Sequence, residues 1–147
     1  MNKLLLALLT GMLITFIADF FLFLGLKLNY FDFYEIEIYY NVLFADNQNF
    51  ILYFFLSIIF GSVVIFIANN KLTLMMLSMV TLLAIAPLFS SVGKKLGSYM
   101  FMKKDKTYRD AKHTFVGDVY YDGRTTIHFY DKELNKMILL QKNKLFI

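Results

Sequence analysis

The chain contains no cysteine, only two histidines and a single proline. Without cysteine it can form no disulfide, no thiolate metal site and no cysteine nucleophile. Two histidines are too few to build a zinc or di-iron site easily. The sequence also lacks a glycine-rich phosphate loop, an H-E-x-x-H motif and a G-x-S-x-G motif. These absences predict a protein with no catalytic residues, no metal and no cofactor, so we do not expect an enzyme.

Apolar side chains are abundant, at 59% of the residues, and the mean hydropathy is +0.57. Soluble domains contain about 45–50% apolar residues, so this composition predicts a membrane protein. Lys outnumbers Arg 13 to 2, and Phe, Tyr, Ile and Asn are frequent, a bias typical of AT-rich bacterial genomes. We therefore expect a multi-pass protein of a bacterial inner (plasma) membrane.

Three long apolar runs occupy the first 90 residues, at 4–26, 50–68 and 72–89. At a rise of about 1.5 Å per residue, each run is long enough to cross a hydrocarbon core of about 30 Å. The sequence therefore predicts a domain of three transmembrane helices over residues 1–90, with the last two forming a hairpin. A cleaved signal peptide is the alternative for the first run, but the run is long and no A-x-A cleavage site follows it.

Asp19 is the one charged residue inside these runs. An acid at the centre of a spanning helix costs about 2.5–3.5 kcal/mol on insertion scales, so we expect Asp19 to face protein. The simplest partner is a hydroxyl on another span, such as that of Ser57, Ser62, Ser78 or Thr81. A polar contact with a partner subunit and a proton or ion relay through a pore remain open, although the runs contain no second ionisable group for a relay.

Small residues recur four positions apart in three places, and such spacing lets helix backbones approach closely. They favour packing among the helices of this chain, or else against a partner's helix. The pairs are Ala7 with Gly11, Ser57 with Gly61, and Gly93 with Gly97.

The loop at 27–49 mixes seven aromatic residues with carboxylates. Phe33, Ile36, Tyr40 and Leu43 would share one face of a helix, so we predict a short amphipathic segment at the membrane interface. Such a segment would anchor the loop, or else form a docking surface for a neighbouring membrane protein.

A basic juxtamembrane segment is predicted at 91–112, where Lys and Arg are dense. Basic clusters beside a span attract anionic lipid at about 1 kcal/mol per residue, so membrane lipids are the expected ligands. No recognition helix or RNA-binding motif accompanies the cluster, and we expect no nucleic-acid partner. The candidate headgroup-binding residues are Lys94, Lys95, Lys103, Lys104, Lys106 and Arg109.

The distribution of Lys and Arg also predicts an orientation. With the C-terminal tail in the cytoplasm, seven positive residues near span ends lie inside and two, Lys3 and Lys71, lie outside. The acidic loop at 27–49 argues for the opposite arrangement, but acids contribute little to the rule. We therefore predict a cytoplasmic tail, together with a cytoplasmic 27–49 loop.

Residues 113–147 change to an alternating pattern and predict a small β unit, a hairpin or meander. Asp122-Gly123 is a strong signal for a two-residue hairpin turn, in which both central residues take positive φ. That turn predicts these cross-strand pairs: Tyr121 with Arg124, Val119 with Thr126, and Tyr120 with Thr125.

A second turn is predicted at 132–135, and it leads into four apolar residues at 137–140. These strands carry apolar side chains on both faces. A unit of 35 to 55 residues without disulfides or metal rarely buries enough core to stand alone. We therefore expect the bilayer, a second copy or a different protein to cover it.

These features favour a non-enzymatic accessory, assembly or chaperone-like subunit of a larger membrane complex, in contact with another integral membrane protein. A small homo-oligomeric channel or transporter that uses Asp19 is the first alternative. A membrane immunity or stress protein is the second. A heterologous partner in fixed ratio would support the first reading, and a homo-oligomer alone would support the channel.

Overall fold

The computed structural model describes residues 2–67, 69–111 and 113–146, so the predicted boundaries at 68, 112 and 147 lie outside the described residues. Helices dominate the first hundred residues, and antiparallel strands follow. The helices are α1 (Lys3–Leu26), α2 (Tyr40–Asn47), α3 (Phe50–Phe66), α4 (Asn70–Ile85) and α5 (Ser90–Phe101). A π-helical turn at Lys27–Phe31 extends α1, and 3-10 turns occupy Ala86–Leu88 and Lys142–Lys144. The strands are β1 (Lys103–Arg109), β2 (Thr114–Asp122), β3 (Thr126–Asp131) and β4 (Lys136–Gln141).

Two of the three predicted spans correspond to straight helical segments long and apolar enough to cross a membrane, at Lys3–Phe31 and Asn70–Leu88. The third predicted span, 50–68, corresponds to α3, a continuous helix of 17 residues. A break with a bend of 84° separates α3 from α2 before it, and the two helices count as a third crossing only if the pair forms one span. Asn49 explains the break: its side chain accepts a hydrogen bond from Leu52 N, which caps a new helix.

Small residues bring α1 and α3 into close antiparallel contact within this chain. A Cβ atom added at Gly11 would lie 1.7 Å from Ser57 O, and one added at Gly61 would lie 1.8 Å from Ala7 O. Only residues without larger side chains allow the two backbones to approach so closely. The expectation of packing among this chain's own helices is therefore confirmed at this crossing.

Pro87 separates α4 from α5, because a proline inside a helix removes a backbone donor. It packs against α1, where a Cβ atom on Gly25 would lie 2.5 Å from the Pro87 carbonyl carbon. Past this turn, α5 lies along the π-helical turn, with Gly97 against the ring of Tyr30. The chain thus returns to the end of α1 before it enters the sheet.

The four strands form one antiparallel meander in the order β1-β2-β3-β4. The sheet begins at Lys103, ten residues before the predicted start at 113, because β1 pairs with β2. The expected basic segment at 91–112 is therefore divided between α5 and β1. After β4 the chain returns to β1, where Phe146 N donates a 2.8 Å hydrogen bond to Arg109 O.

The predicted two-residue turn at Asp122-Gly123 is wrong. β2 ends at Asp122 and β3 begins at Thr126, so three residues connect the strands, and Asp122 pairs with Ile127. Gly123 does not have a positive φ. A β-bulge between Val119 and Tyr121 shifts the register further, and Val119 faces Phe129 rather than Thr126. A bulge adds a residue to one strand only, which no alternating pattern reveals.

The second predicted turn, at residues 132–135, is confirmed. The buried Asp131 side chain accepts hydrogen bonds from Glu133 N at 2.8 Å and Leu134 N at 2.9 Å, and Asn135 takes a positive φ of 51°. These local hydrogen bonds stabilise a tight turn. The four apolar residues at 137–140 are not all buried, because Leu140 is buried whereas Leu139 is exposed.

The loop at 27–49 does not form the single amphipathic segment that the sequence predicts. Glu35 has a φ of 55°, in the left-handed region, which ends the turn before it, and the chain then runs extended to Tyr39. As a result Ile36 and Leu43 are buried, whereas Phe33 is exposed.

Candidate functional site

An aromatic and aliphatic cluster joins the sheet to the helices, and we call it the junction core. Inside it the centre of the Phe31 ring lies 5.0 Å from the centre of the Phe101 ring and 5.1 Å from that of the Tyr121 ring, and both pairs are edge-to-face. Edge-to-face pairs of this kind stabilise a core beyond the area they bury. The junction core consists of Phe23, Leu26, Tyr30, Phe31, Ile36, Leu43, Phe101 and Tyr121.

Two polar contacts reinforce the junction core. The buried hydroxyl of Tyr30 donates a 2.8 Å hydrogen bond to the carbonyl oxygen of Tyr120, beside the β-bulge. At the edge of the junction, Arg124 Nε donates to both carboxylate oxygens of Asp46 at 2.9 Å. Arg124 lies in the β2–β3 loop and Asp46 in α2, so the sheet is held at two separate points.

The other face of the sheet covers a second cluster, which we call the inner core. It consists of Val119, Ile127, Phe129 and Leu140, with Leu145 folded against it from the C-terminal segment. Each face of the sheet therefore receives cover from this chain. The expectation that the bilayer or another chain must supply that cover is wrong, since sequence reasoning overlooked the 27–49 loop as a packing partner.

The six candidate headgroup-binding residues do not form one patch. Lys94 lies on α5 with Nζ 3.2 Å from the centre of the Phe33 ring, a cation–π contact. Lys103 on β1 binds Asp122 at 3.1 Å, and Lys142 binds the same carboxylate at 2.6 Å. The exposed members of the set are Lys95, Lys103, Lys104, Lys106 and Arg109.

The two lysines at Asp122 also change its acidity. Burial raises the pKa of Asp122, but the hydrogen bonds and charges of Lys142 and Lys103 outweigh burial and hold the pKa below its usual value. The two lysines therefore favour the ionised form of Asp122. This residue, predicted as part of a turn, instead joins the starts of β1 and of the C-terminal segment.

The predicted partner of Asp19, a hydroxyl on another span, is not the one observed. Instead, Asp19 Oδ2 accepts a 2.8 Å hydrogen bond from Gln48 Nε2. The hydroxyl of Ser57 instead donates to Tyr53 O at 2.8 Å and lies 3.2 Å from the hydroxyl of Thr15. Among the described residues, Gln48 Oε1 is buried without a hydrogen-bond partner. Sequence reasoning missed Gln48 because it lies in the loop; its position beside the helix break was the available signal.

The two histidines lie apart from this pair. His128 pairs with Tyr121 across the strands, not with Gly117 as the predicted register required. Burial lowers the pKa of His128, and the nearby charge of Glu37 opposes this only in part. Within residues 2–67, 69–111 and 113–146, no group of three or more His, Asp or Glu side chains could hold a metal ion.

Two cavities flank the helices. A cavity of about 770 Å³ opens beside the 27–49 loop, where Lys27 binds Asp32 and where Glu35 and Glu37 lie. An apolar groove of about 340 Å³ runs between α1 and α4, with Ala18 and Ala84 among its lining residues. Neither contains an arrangement of nucleophile and base.

No protein family model matches this chain, and no curated protein and no solved structure is significantly similar to it. The residues described above are therefore the basis for any functional conclusion.

Proposed function

We propose that this chain is a multi-pass protein of a bacterial inner membrane and acts as a non-enzymatic accessory, assembly or chaperone-like subunit of a larger membrane complex. The observation that carries this proposal is the junction core, because it fixes the sheet to one end of the apolar helices. A rigidly held sheet presents its surface in a constant position relative to the anchor. That property suits a protein that positions or stabilises another.

Exposed apolar surface on three helices supports a location in the membrane. The exposed fraction is 59% for Leu13 in α1, 85% for Ile51 in α3 and 65% for Leu82 in α4. Soluble monomers rarely expose contiguous apolar patches of more than a few hundred Å². Lipid chains would cover these side chains.

The hydrogen bond between Asp19 and Gln48 supports a structural role for this acid in preference to a role in a pore. Within 4–26, 50–66 and 72–85 Asp19 is the only charged residue. A relay needs a series of ionisable groups or waters. Here a single acid, Asp19, binds the side-chain amide of Gln48, and this bond joins α1 to the break between α2 and α3. Intramembrane acids usually have such a partner inside the protein.

The exposed cations of α5 and β1 support contact with anionic headgroups. No Asp or Glu occurs between Asp46 and Asp105, so Lys94 and Lys95 have no acid close in sequence, whereas Asp105 directly follows Lys104. Each such cation near an anionic surface contributes about 1 kcal/mol. Lipid contact would hold the docked sheet close to the bilayer.

The test is the composition of the native assembly, purified in mild detergent from the source cells with the protein at its natural level. We expect a complex with at least one other integral membrane protein in fixed ratio, found again when that partner carries the tag. Phe31→Ala should loosen the sheet, leave membrane insertion intact and release the partner, whereas the control Leu13→Ala should retain it. A homo-oligomer alone would overturn the accessory reading in favour of the channel.

A further inference from the structure

The two edges of the sheet differ. β1 is partly closed by the C-terminal segment, through the bond between Phe146 N and Arg109 O. Among the described residues, no backbone hydrogen bond from outside the sheet reaches Lys136–Gln141, the whole length of β4. A strand edge with unpaired backbone groups is a template for another strand.

The register shows which groups of β4 are free. Lys142 N donates to Thr125 O at 3.0 Å. In an antiparallel pair every second residue forms hydrogen bonds to the neighbouring strand, so Leu140 and Ile138 also bond to β3. The backbone N–H and C=O groups of the residues between them therefore point away from the sheet. These residues are Met137, Leu139 and Gln141.

The side chains beside this edge have a distinct order. Met137 and Leu139 lie on one face in the middle of the strand, and Leu139 is 61% exposed. Lys136 precedes them and Lys144 follows, whereas Lys142 is paired with Asp122. An apolar centre with positive charge at both ends is complementary to a segment that has apolar residues in its middle and carboxylates at its ends.

We infer that β4 accepts, as a fifth strand, a short extended segment of a partner protein with an apolar middle and acidic ends. This inference rests on the proposed function and specifies how the partner is bound. Backbone hydrogen bonds at Leu139 and its outward neighbours would supply affinity, and the lysines would select the acidic ends. The docked sheet holds this edge in a fixed position, which lowers the entropy lost on binding.

A second copy of this chain fits the edge less well. Antiparallel pairing of two β4 strands about Leu139 would place Lys136 of each copy opposite Lys142 of the other. Like charges directly opposite each other destabilise a strand pair. An acidic segment removes this repulsion, so charge favours a different chain as the occupant.

The experiment titrates purified full-length protein in detergent with two fluorescent peptides at low salt. One peptide is acetyl-Glu-Thr-Val-Thr-Val-Glu-amide, and the other has Lys at both ends. We expect the acidic peptide to bind at least about tenfold more tightly, since complementary charge selects the partner. Equal binding, or no binding of the acidic peptide, would overturn the inference.

Two variants locate the site. Leu139→Pro removes only an outward N–H, which an edge strand tolerates, so it should abolish peptide binding, whereas Leu139→Ala should weaken it only a few-fold. Lys136→Glu combined with Lys144→Glu should reverse the preference towards the Lys-ended peptide, a gain that misfolding cannot produce. Binding unchanged by Leu139→Pro, or no reversal in the charge variant, would refute the site.

The oligomeric state of the same sample tests the second copy. We expect the protein alone to form no dimer through the β4 edge. A dimer that Leu139→Pro dissociates would assign the edge to self-association and overturn the inference. The peptide titration needs no native partner. Its failure is therefore distinct from failure of the accessory role, which the composition of the native complex tests.

Discussion

The hydroxyl of Tyr30 donates a hydrogen bond of 2.8 Å to the backbone carbonyl oxygen of Tyr120, across 90 residues of sequence. The bulge between Val119 and Tyr121 disturbs the β2–β3 ladder at this point. The helical part of the chain thus satisfies a backbone group at an irregularity of the sheet. This bond and the junction core make the two parts one structure.

Replacing Tyr30 with Phe should destabilise the docked sheet. The change leaves the Tyr120 carbonyl without its partner in a partly buried site, at a cost of about 1 kcal/mol. Denaturant unfolding in detergent, followed by near-UV circular dichroism, measures the loss. Tyr99→Phe is the control, because Tyr99 is 89% exposed. Equal stability of the two variants would contradict the role of this bond.

Gly11→Ala should separate α1 from α3. The added Cβ would lie 1.7 Å from Ser57 O, a backbone atom, so the helices must move apart. Overpacking of this kind typically costs about 1–3 kcal/mol. The thermal unfolding midpoint in detergent should fall, whereas Leu13→Ala on the exposed side of α1 should have little effect. A midpoint unchanged by Gly11→Ala would argue against the close crossing.

Asp19→Asn should be at least as stable as the natural protein. Asn keeps an acceptor for Gln48 Nε2 and removes the cost of a charge within an apolar helix. Asp19→Lys should prevent stable accumulation. Protein level and association with the partner are the measurements. Loss of function in Asp19→Asn, with both of these intact, would promote the relay reading.

We expect the sheet to become less stable in mild acid, because His128 is protonated there. Burial lowers the folded-state pKa below the unfolded value of about 6.5, so the unfolded chain binds the proton more tightly. The stability is fully present above the unfolded pKa and falls as the pH drops through that value towards the lowered one. Denaturation midpoints between pH 7 and pH 5 measure this, and His128→Asn should flatten the slope. The same slope in His128→Asn as in the natural protein would exclude this residue as the cause; His113→Asn is the control.

The absence of cysteine permits a direct test of orientation. In single-cysteine variants of whole cells, Lys71→Cys should react with an impermeant thiol reagent, whereas Glu37→Cys and Lys104→Cys should be protected. The excess of Lys and Arg on the tail side is the reason. The reverse pattern would invert the predicted orientation. Labelling of Glu37→Cys and Lys104→Cys on opposite sides would contradict the docking of the sheet on the loop.

The sequence by itself predicted the features that depend on neighbours along the chain. The runs at 4–26 and 72–89, the small residues of α1 and α3, and the turn at 132–135 all follow from hydropathy, backbone chemistry or spacing. Each of these is determined within a few residues, so a local pattern is enough to reveal it.

Only the tertiary structure decided the bulge in β2, the partner of Asp19 and the cover of the sheet. The register of β2 depends on Tyr121 entering the junction core, and Asp19 bonds to Gln48 because the chain breaks between α2 and α3. Lys103, predicted to bind lipid, also lies 3.1 Å from the carboxylate of Asp122. All three depend on contacts between distant segments, and the free energy of burying those surfaces together outweighs what each segment prefers alone.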